Sequence, residues 1–309
     1  MFHDKIPARR FSAWLFAAVT PPLIQLACGT SWVWLLAVGG LCLFLNWARS
    51  RFDGTAMPKW LCLPGFLLTA VVLGELAGYA ADSWPVGDSY PAVPLVLLAL
   101  AAWSAGKGPQ AAARAGAVLF WFVMIMYLLV FAAGFGQIRW EWLRPIDNRI
   151  SPMSVILLLV PSAAMILPVQ RKGTIPRQIL ALITVAAAVL LTQGILSPEI
   201  AGEAEYPFHE MGRSLELLGI AQRFEALICA SATVGWFGIF TVLLSVGGSL
   251  MQGMKPGWGS GAVWTAAVAA AVWLLCGLHI SGWLLVSACA VFWVGLPMLA
   301  QGIGKIKKS

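Results

Sequence analysis

The sequence predicts an all-α integral membrane protein of ten transmembrane helices, arranged as two inverted sets of five. Three observations carry this reading. Of the 309 residues, 60% are hydrophobic and only 11% charged, against about 25% charged in an average soluble domain. Mostly apolar runs of membrane-spanning length recur from Phe11 to Ala300, and the mean hydropathy of the whole chain is +0.83. The charges, finally, segregate between alternate loops. Together these exclude a soluble enzyme, a nucleic-acid-binding domain and a disordered tail.

The spans are expected near 11–28, 31–48, 60–80, 91–106, 116–135, 151–169, 178–196, 223–250, 260–278 and 281–301. The first follows a basic segment and resembles a signal peptide, but Pro21 and Pro22 interrupt its apolar run, so it is read as a retained span. Pro91 and Pro94 start the short fourth span, and the eighth is long enough to require tilt. With the N-terminus inside, only Arg139, Arg144, Arg149, Arg213 and Arg223 of the 20 Lys and Arg fall outside. Of the 13 acids only Asp4 and Asp53 fall inside, and Glu75 lies within the third span. Cationic loops stay in the cytoplasm, so the net charge of +7 reads as topology with both termini cytoplasmic.

An odd number of spans per half inverts the halves, 1–150 and 151–309. Pro21 lies ten residues into the first span and Pro161 ten residues into the sixth, and both spans are short for a core of about 30 Å. Short, proline-interrupted segments at matching positions point to a transporter-type binding site, because proline frees backbone groups that a ligand can satisfy. Helices 1 and 6 are therefore expected to be broken. The ligand-binding candidates there are Thr20, Pro21 and Pro22, with Gln25 beyond them, and Val160, Pro161, Ser162 and Ala163. Glu75 is the one acid within the membrane, and Tyr127 and Trp236 lie midway along their spans. Thr233 completes the set.

The segment 197–222 is the most polar of the chain. Pro207 can open a short helix and Gly219 close it, with Phe208, Met211, Leu215 and Leu218 along one stripe, making a lid of about 206–219. Arg213, Arg223 and Glu225 are expected to organise that lid against the eighth span. The six cysteines all fall in apolar runs without metal-ligand spacing and read as buried small hydrophobes. His3, His209 and His279 lie on a tail and in two external loops and form no cluster. Most tryptophans, such as Trp32, Trp60, Trp140, Trp142 and Trp283, sit at span ends as an aromatic belt. No nucleotide-phosphate loop, HExxH or other catalytic signature occurs, so neither an enzyme nor a cofactor or metal is expected.

From Tyr206 the chain reads YPFHEMGRSLELLGIAQRFEALI and continues into the span bearing Trp236. In Tyr206-Pro207, Arg213, Gly219 and Arg223-Phe224-Glu225 this resembles the B-subunit of spore germination receptors, a permease family within the amino acid–polyamine–organocation superfamily. The stretch from Ala102 to Leu119, with Gly108 and Ala113-Arg114, is similar to that family's segment between spans four and five, and Ser12 to Trp32 is a weaker likeness. The resemblance implies a leucine-transporter-like fold and a bacterial spore inner membrane. It also implies two other receptor subunits as partners and an amino-acid-like germinant as ligand. Three functions stay open: a germinant-receptor subunit, a secondary active transporter for an amino acid or amine, and an assembly protein without a ligand of its own.

Overall fold

A computed structural model describes residues 5–51, 58–82, 92–170, 173–215, 224–254, 261–276 and 281–300. Among these the regular structure is helical, apart from a single parallel bridge between Ile6 and Val169. Each apolar run becomes one helix, because inside a bilayer only a helix satisfies every backbone donor and acceptor within its own segment. The helices are α1 (Ala8–Ala27), α2 (Trp32–Ser50), α3 (Lys59–Asp82), α4 (Ala92–Gly106), α5 (Pro109–Gly134), α6 (Pro152–Ala164), α7 (Ile175–Leu196), α8 (Pro198–Glu203), α9 (Pro207–Ser214), α10 (Phe224–Met254), α11 (Gly261–Ala271) and α12 (Gly282–Cys289). Wider π turns over Val272–Cys276 and Ala290–Gly295 extend the last two. Among the described residues, six helices can cross a membrane by length and composition: α2, α3, α5, α7, α10 and Gly282–Ala300, while Ala92–Gly106, Pro152–Ala164 and Gly261–Leu274 are apolar but shorter.

Burial sorts the helices into inside and outside. Every residue of α1 from Phe11 to Ile24 is buried, and so is every residue of α6 from Met153 to Ala164. A helix apolar all round belongs at the centre of a bundle. The surrounding helices instead expose large apolar side chains, including Leu41, Phe44, Trp103, Val118, Trp121, Ile125 and Leu284. Such a surface suits lipid. Belt tryptophans carry cations over their rings, with Arg51 4.8 Å from Trp47, Lys107 4.7 Å from Trp103 and Arg139 4.4 Å from Trp142.

The packing has an internal order. α1, α2, α6 and α7 form one group and α3, α4, α10 and α11 another, joined where α10 lies along α1 and where α5 packs on both. Within the groups α1 meets α6, α2 meets α7, α3 meets α10 and α4 meets α11. When α1–α7 and α10–α12 alone are numbered in order, each of these partners is five positions later.

The loops also gather at two ends. At one, Ile6 N donates to Pro168 O at 2.8 Å, and Arg177 reaches the Arg9 carbonyl and, at 2.9 Å, the Ser12 hydroxyl. At the other, Asn148 Nδ2 donates to the carbonyls of Gly29 and Gly202 at 3.2 and 3.1 Å, and Gln193 Nε2 donates to Thr30 O at 3.0 Å. Arg49, assigned to the cationic loop after the second span, is instead taken up in the last turn of α2 and buried there.

Candidate functional site

The expected break in the first helix is absent. α1 runs unbroken through Pro21 and Pro22. Each proline lacks a donor and projects its ring at the turn before it, and here α10 makes room for the rings with glycines. A Cβ on Gly235 would lie 2.7 Å from Pro21 Cβ, and one on Gly238 would lie 2.9 Å from Ala18 Cα. A close fit of two backbones thus occupies the face where a ligand was expected. Thr20, beside the prolines, is fully buried with no hydrogen-bond partner for its hydroxyl. Other buried helical threonines, such as Thr69 and Thr192, bond back to the carbonyl four residues earlier.

The sixth span behaves differently. α6 stops three residues after Pro161, and its last carbonyls close on i→i+3 bonds from Met165, Ile166 and Leu167, so the span expected to reach 169 ends as a thirteen-residue helix. Val160, Pro161, Ser162 and Ala163 are all buried. Asn46 of α2 holds this region, its Nδ2 donating to Leu158 O at 3.1 Å while its Oδ1 accepts from the Ser162 hydroxyl.

Beside this clamp is a cavity of about 30 Å³ bounded by α1, α2, α6 and α7, whose lining includes Val19, Leu23, Asn46, Pro161, Arg177 and Gln178. That is room for one or two waters. Gln178 is 7% exposed, and neither atom of its amide has a partner among the described residues. A buried amide left unsatisfied costs about 1–3 kcal/mol, and the adjoining cavity has room for a water to satisfy it. Sequence reasoning passed over Gln178, because nothing in a lone glutamine near a helix start announces burial.

A second polar assembly lies under the lid. The lid helix forms as α9, shorter than expected at Pro207–Ser214, and buries Phe208, Met211 and, just beyond it, Leu215. Arg213 joins it to α10 by an ion pair with Glu225 at 3.0 Å and also meets Glu210 at 3.0 Å. Arg223 lies outside the described residues. Beneath α9, Trp236 Nε1 donates to Gln25 Oε1 at 3.0 Å, and Gln25 Nε2 lies 3.4 Å from His209 Nε2. His209 Nδ1 is 3.7 Å from Cys229 Sγ. Tyr127 stands close by, its hydroxyl 3.4 Å from Ser231 Oγ and its ring 6.2 Å from Phe208.

Gln25, Trp236 and Tyr127 are thus gathered under the lid, while Pro161 lines the cavity. Thr233 belongs to neither, its hydroxyl being spent on the Cys229 carbonyl of its own helix at 2.8 Å. Glu75 is half-buried on α3, one turn before Tyr79, and does not line the cavity. His209, read from the sequence as part of an external loop, is 3% exposed. Cys229 is half-buried, whereas Cys28, Cys42, Cys62 and Cys289 are fully so.

The lid network holds one protonation state. Tryptophan only donates, so Gln25 must turn its oxygen to Trp236 and its amide N–H to His209. His209 Nε2 then accepts, and the proton of the neutral ring sits on Nδ1, facing Cys229. A second proton would set two donors against each other. Burial lowers the His209 pKa below its ordinary 6.5, and Arg213 lowers it further, while Glu210 and Glu225 pull the other way. The undocked lid therefore binds a proton more readily than the docked one. Docking is at full strength above about pH 6.5 and weakens as pH falls through the lowered pKa. Hydrogen exchange at α9 amides, corrected for intrinsic rate, should show protection falling between pH 7 and 5. His209→Gln should remove that dependence; an identical pH profile in the variant would refute the assignment.

No protein-family model and no curated protein sequence matches this chain.

Proposed function

We propose that this chain is a membrane subunit that binds a small nutrient, an amino acid or a close relative, in a bundle of the transporter type with ten spans and five-plus-five inverted halves. On the resemblance at residues 206–236 we read it as part of a germinant receptor of the spore inner membrane, acting with two other subunits. The observation that carries the proposal is the mostly apolar cavity into which Gln178 brings an amide with no partner among the described residues, between the central helices α1 and α6 and their neighbours α2 and α7. The association of each of four helices with the one five positions later supports inverted halves, and the segregated loop ends support alternating spans with the cationic end inside. Ligand pockets of drug size occupy about 300–1,000 Å³. The bundle is therefore closed here, and an amino acid would enter by rocking of α1 and α6 against their neighbours, the motion that serves alternating access in such folds.

Secondary transport is the second reading, and Glu75 favours it, since an acid within a span marks ion pathways. The scarcity of other acids in the spans favours sensing. One experiment addresses both. The purified protein is screened by thermal shift against the standard amino acids and simple amines, with Gln178→Leu alongside, and is then tested for gradient-driven uptake in liposomes. A stabilising compound whose effect disappears in Gln178→Leu supports the site. Uptake of that compound would favour transport over sensing. A screen with no stabilising compound, or stabilisation that survives Gln178→Leu, removes the proposed ligand site.

A further inference from the structure

At the end of the bundle where α1 and α5 begin, Lys5, Arg10 and Arg114 surround a cavity of about 200 Å³ whose remaining lining is Ile6, Pro7 and Gln110. No carboxylate is among these residues, and neither helix has an acid in its first turn. Neither N-cap, Pro7 or Gly108, supplies a side-chain acceptor to the first amides. Two positive helix ends and three cations therefore converge on one hollow. Each element favours an anion, and free N–H groups at a helix start add direct donors.

The face of α5 that carries Arg114 narrows the choice of anion. Arg114 is exposed, and on its face of α5, at helical spacing, follow Val118, Trp121, Ile125 and Leu128, 71%, 62%, 55% and 59% exposed. A cationic hollow lined by Arg114, whose own face of α5 carries an exposed apolar stripe, has the two-part chemistry of a phospholipid. We propose that this hollow binds a phosphate group, held by Arg10, Arg114 and Lys5, and that its source is the headgroup of an anionic lipid whose acyl chains lie along the α5 stripe. The bidentate geometry of arginine suits phosphate oxygens better than that of lysine, so the two arginines carry most of the affinity.

The test uses the intact protein. In one arm, protein in nanodiscs of phosphatidylcholine containing phosphatidylglycerol is released and analysed by native mass spectrometry for retained phosphatidylglycerol. In the other, inorganic phosphate is titrated against protein in zwitterionic detergent and melting is followed. Arg10→Gln with Arg114→Gln should reduce lipid retention about tenfold or more, since each basic residue near an anionic surface contributes substantially. Gln110→Glu keeps the side-chain shape while placing a negative charge in the lining, and should do the same. Arg51→Gln with Lys107→Gln removes equal charge from cations that do not line the hollow and should leave retention unchanged. Lipid retention without a response to inorganic phosphate assigns the headgroup. A phosphate response without lipid retention keeps the phosphate site but overturns its lipid source. Equal losses in the two double variants, or no binding in either arm, overturn the site. Amino acid binding plays no part in any readout, so this result stands apart from the proposed function.

Discussion

Replacing Gly238 by valine should sharply lower the yield of folded, monodisperse protein. A Cβ there would lie 2.9 Å from Ala18 Cα and 3.0 Å from Ala18 Cβ. The nearest obstacle is backbone, so no side-chain rotation relieves it. Overpacking a close-packed site costs about 1–3 kcal/mol, and here the strain falls on the turn already weakened by the missing donors of Pro21 and Pro22. The helices would have to separate, uncovering the freed carbonyls of α1. Gly40→Ala is the matched control. No heavy atom lies within 4 Å of a Cβ at that position, and alanine in a helix is favoured over glycine by about 0.5–1 kcal/mol. Thermal melting in nanodiscs should therefore move down for Gly238→Val and level or up for Gly40→Ala. If the two variants melt alike, the close α1–α10 contact is not what tolerates the prolines.

Asn46→Leu should be nearly as damaging, for a different reason. The side chain is 2% exposed and bridges α2 to α6 through the Leu158 carbonyl and the Ser162 hydroxyl. Leucine preserves approximate size but strands the Ser162 hydroxyl, at about 1–3 kcal/mol for a buried polar group left unpaired. Ser162→Ala removes that stranded group. The double variant should thus melt above the sum of the two single losses, with a coupling of about 0.5–3 kcal/mol. Additive losses within about 0.5 kcal/mol would show that the bridge carries no energy of its own. The same pair lies beside the cavity, so a variant that folds would also report whether the clamp holds Pro161 and the end of α6 in place.

Much of the helical layout is legible without coordinates. The second span, expected at 31–48, is Trp32–Ser50, and the seventh, expected at 178–196, is Ile175–Leu196. Composition dictates this locally, because an apolar run in a bilayer has only its own carbonyls to bond. The lid was visible for a similar reason: Pro207 at the first helical position and a stripe of Phe208, Met211 and Leu215 specify a short amphipathic helix whatever lies beneath it. Gln25, Trp236 and Tyr127 were also singled out by position, though as members of a proline-break site and not of the lid network they join.

What the sequence by itself determined is therefore the class, an all-helical protein with apolar helices at stated positions and a capping helix on one polar loop. Only the tertiary structure decided the fate of Pro21 and Pro22. A missing donor is a local fact, but whether it breaks a helix depends on what packs against it, and here that is Gly235 and Gly238 more than 200 residues away. Gln178 and His209 follow the same logic. A polar side chain in an apolar protein acquires a defined environment when neighbours from other helices close it away from water. Burial of that kind is set by contacts between distant segments, which no window along the chain contains.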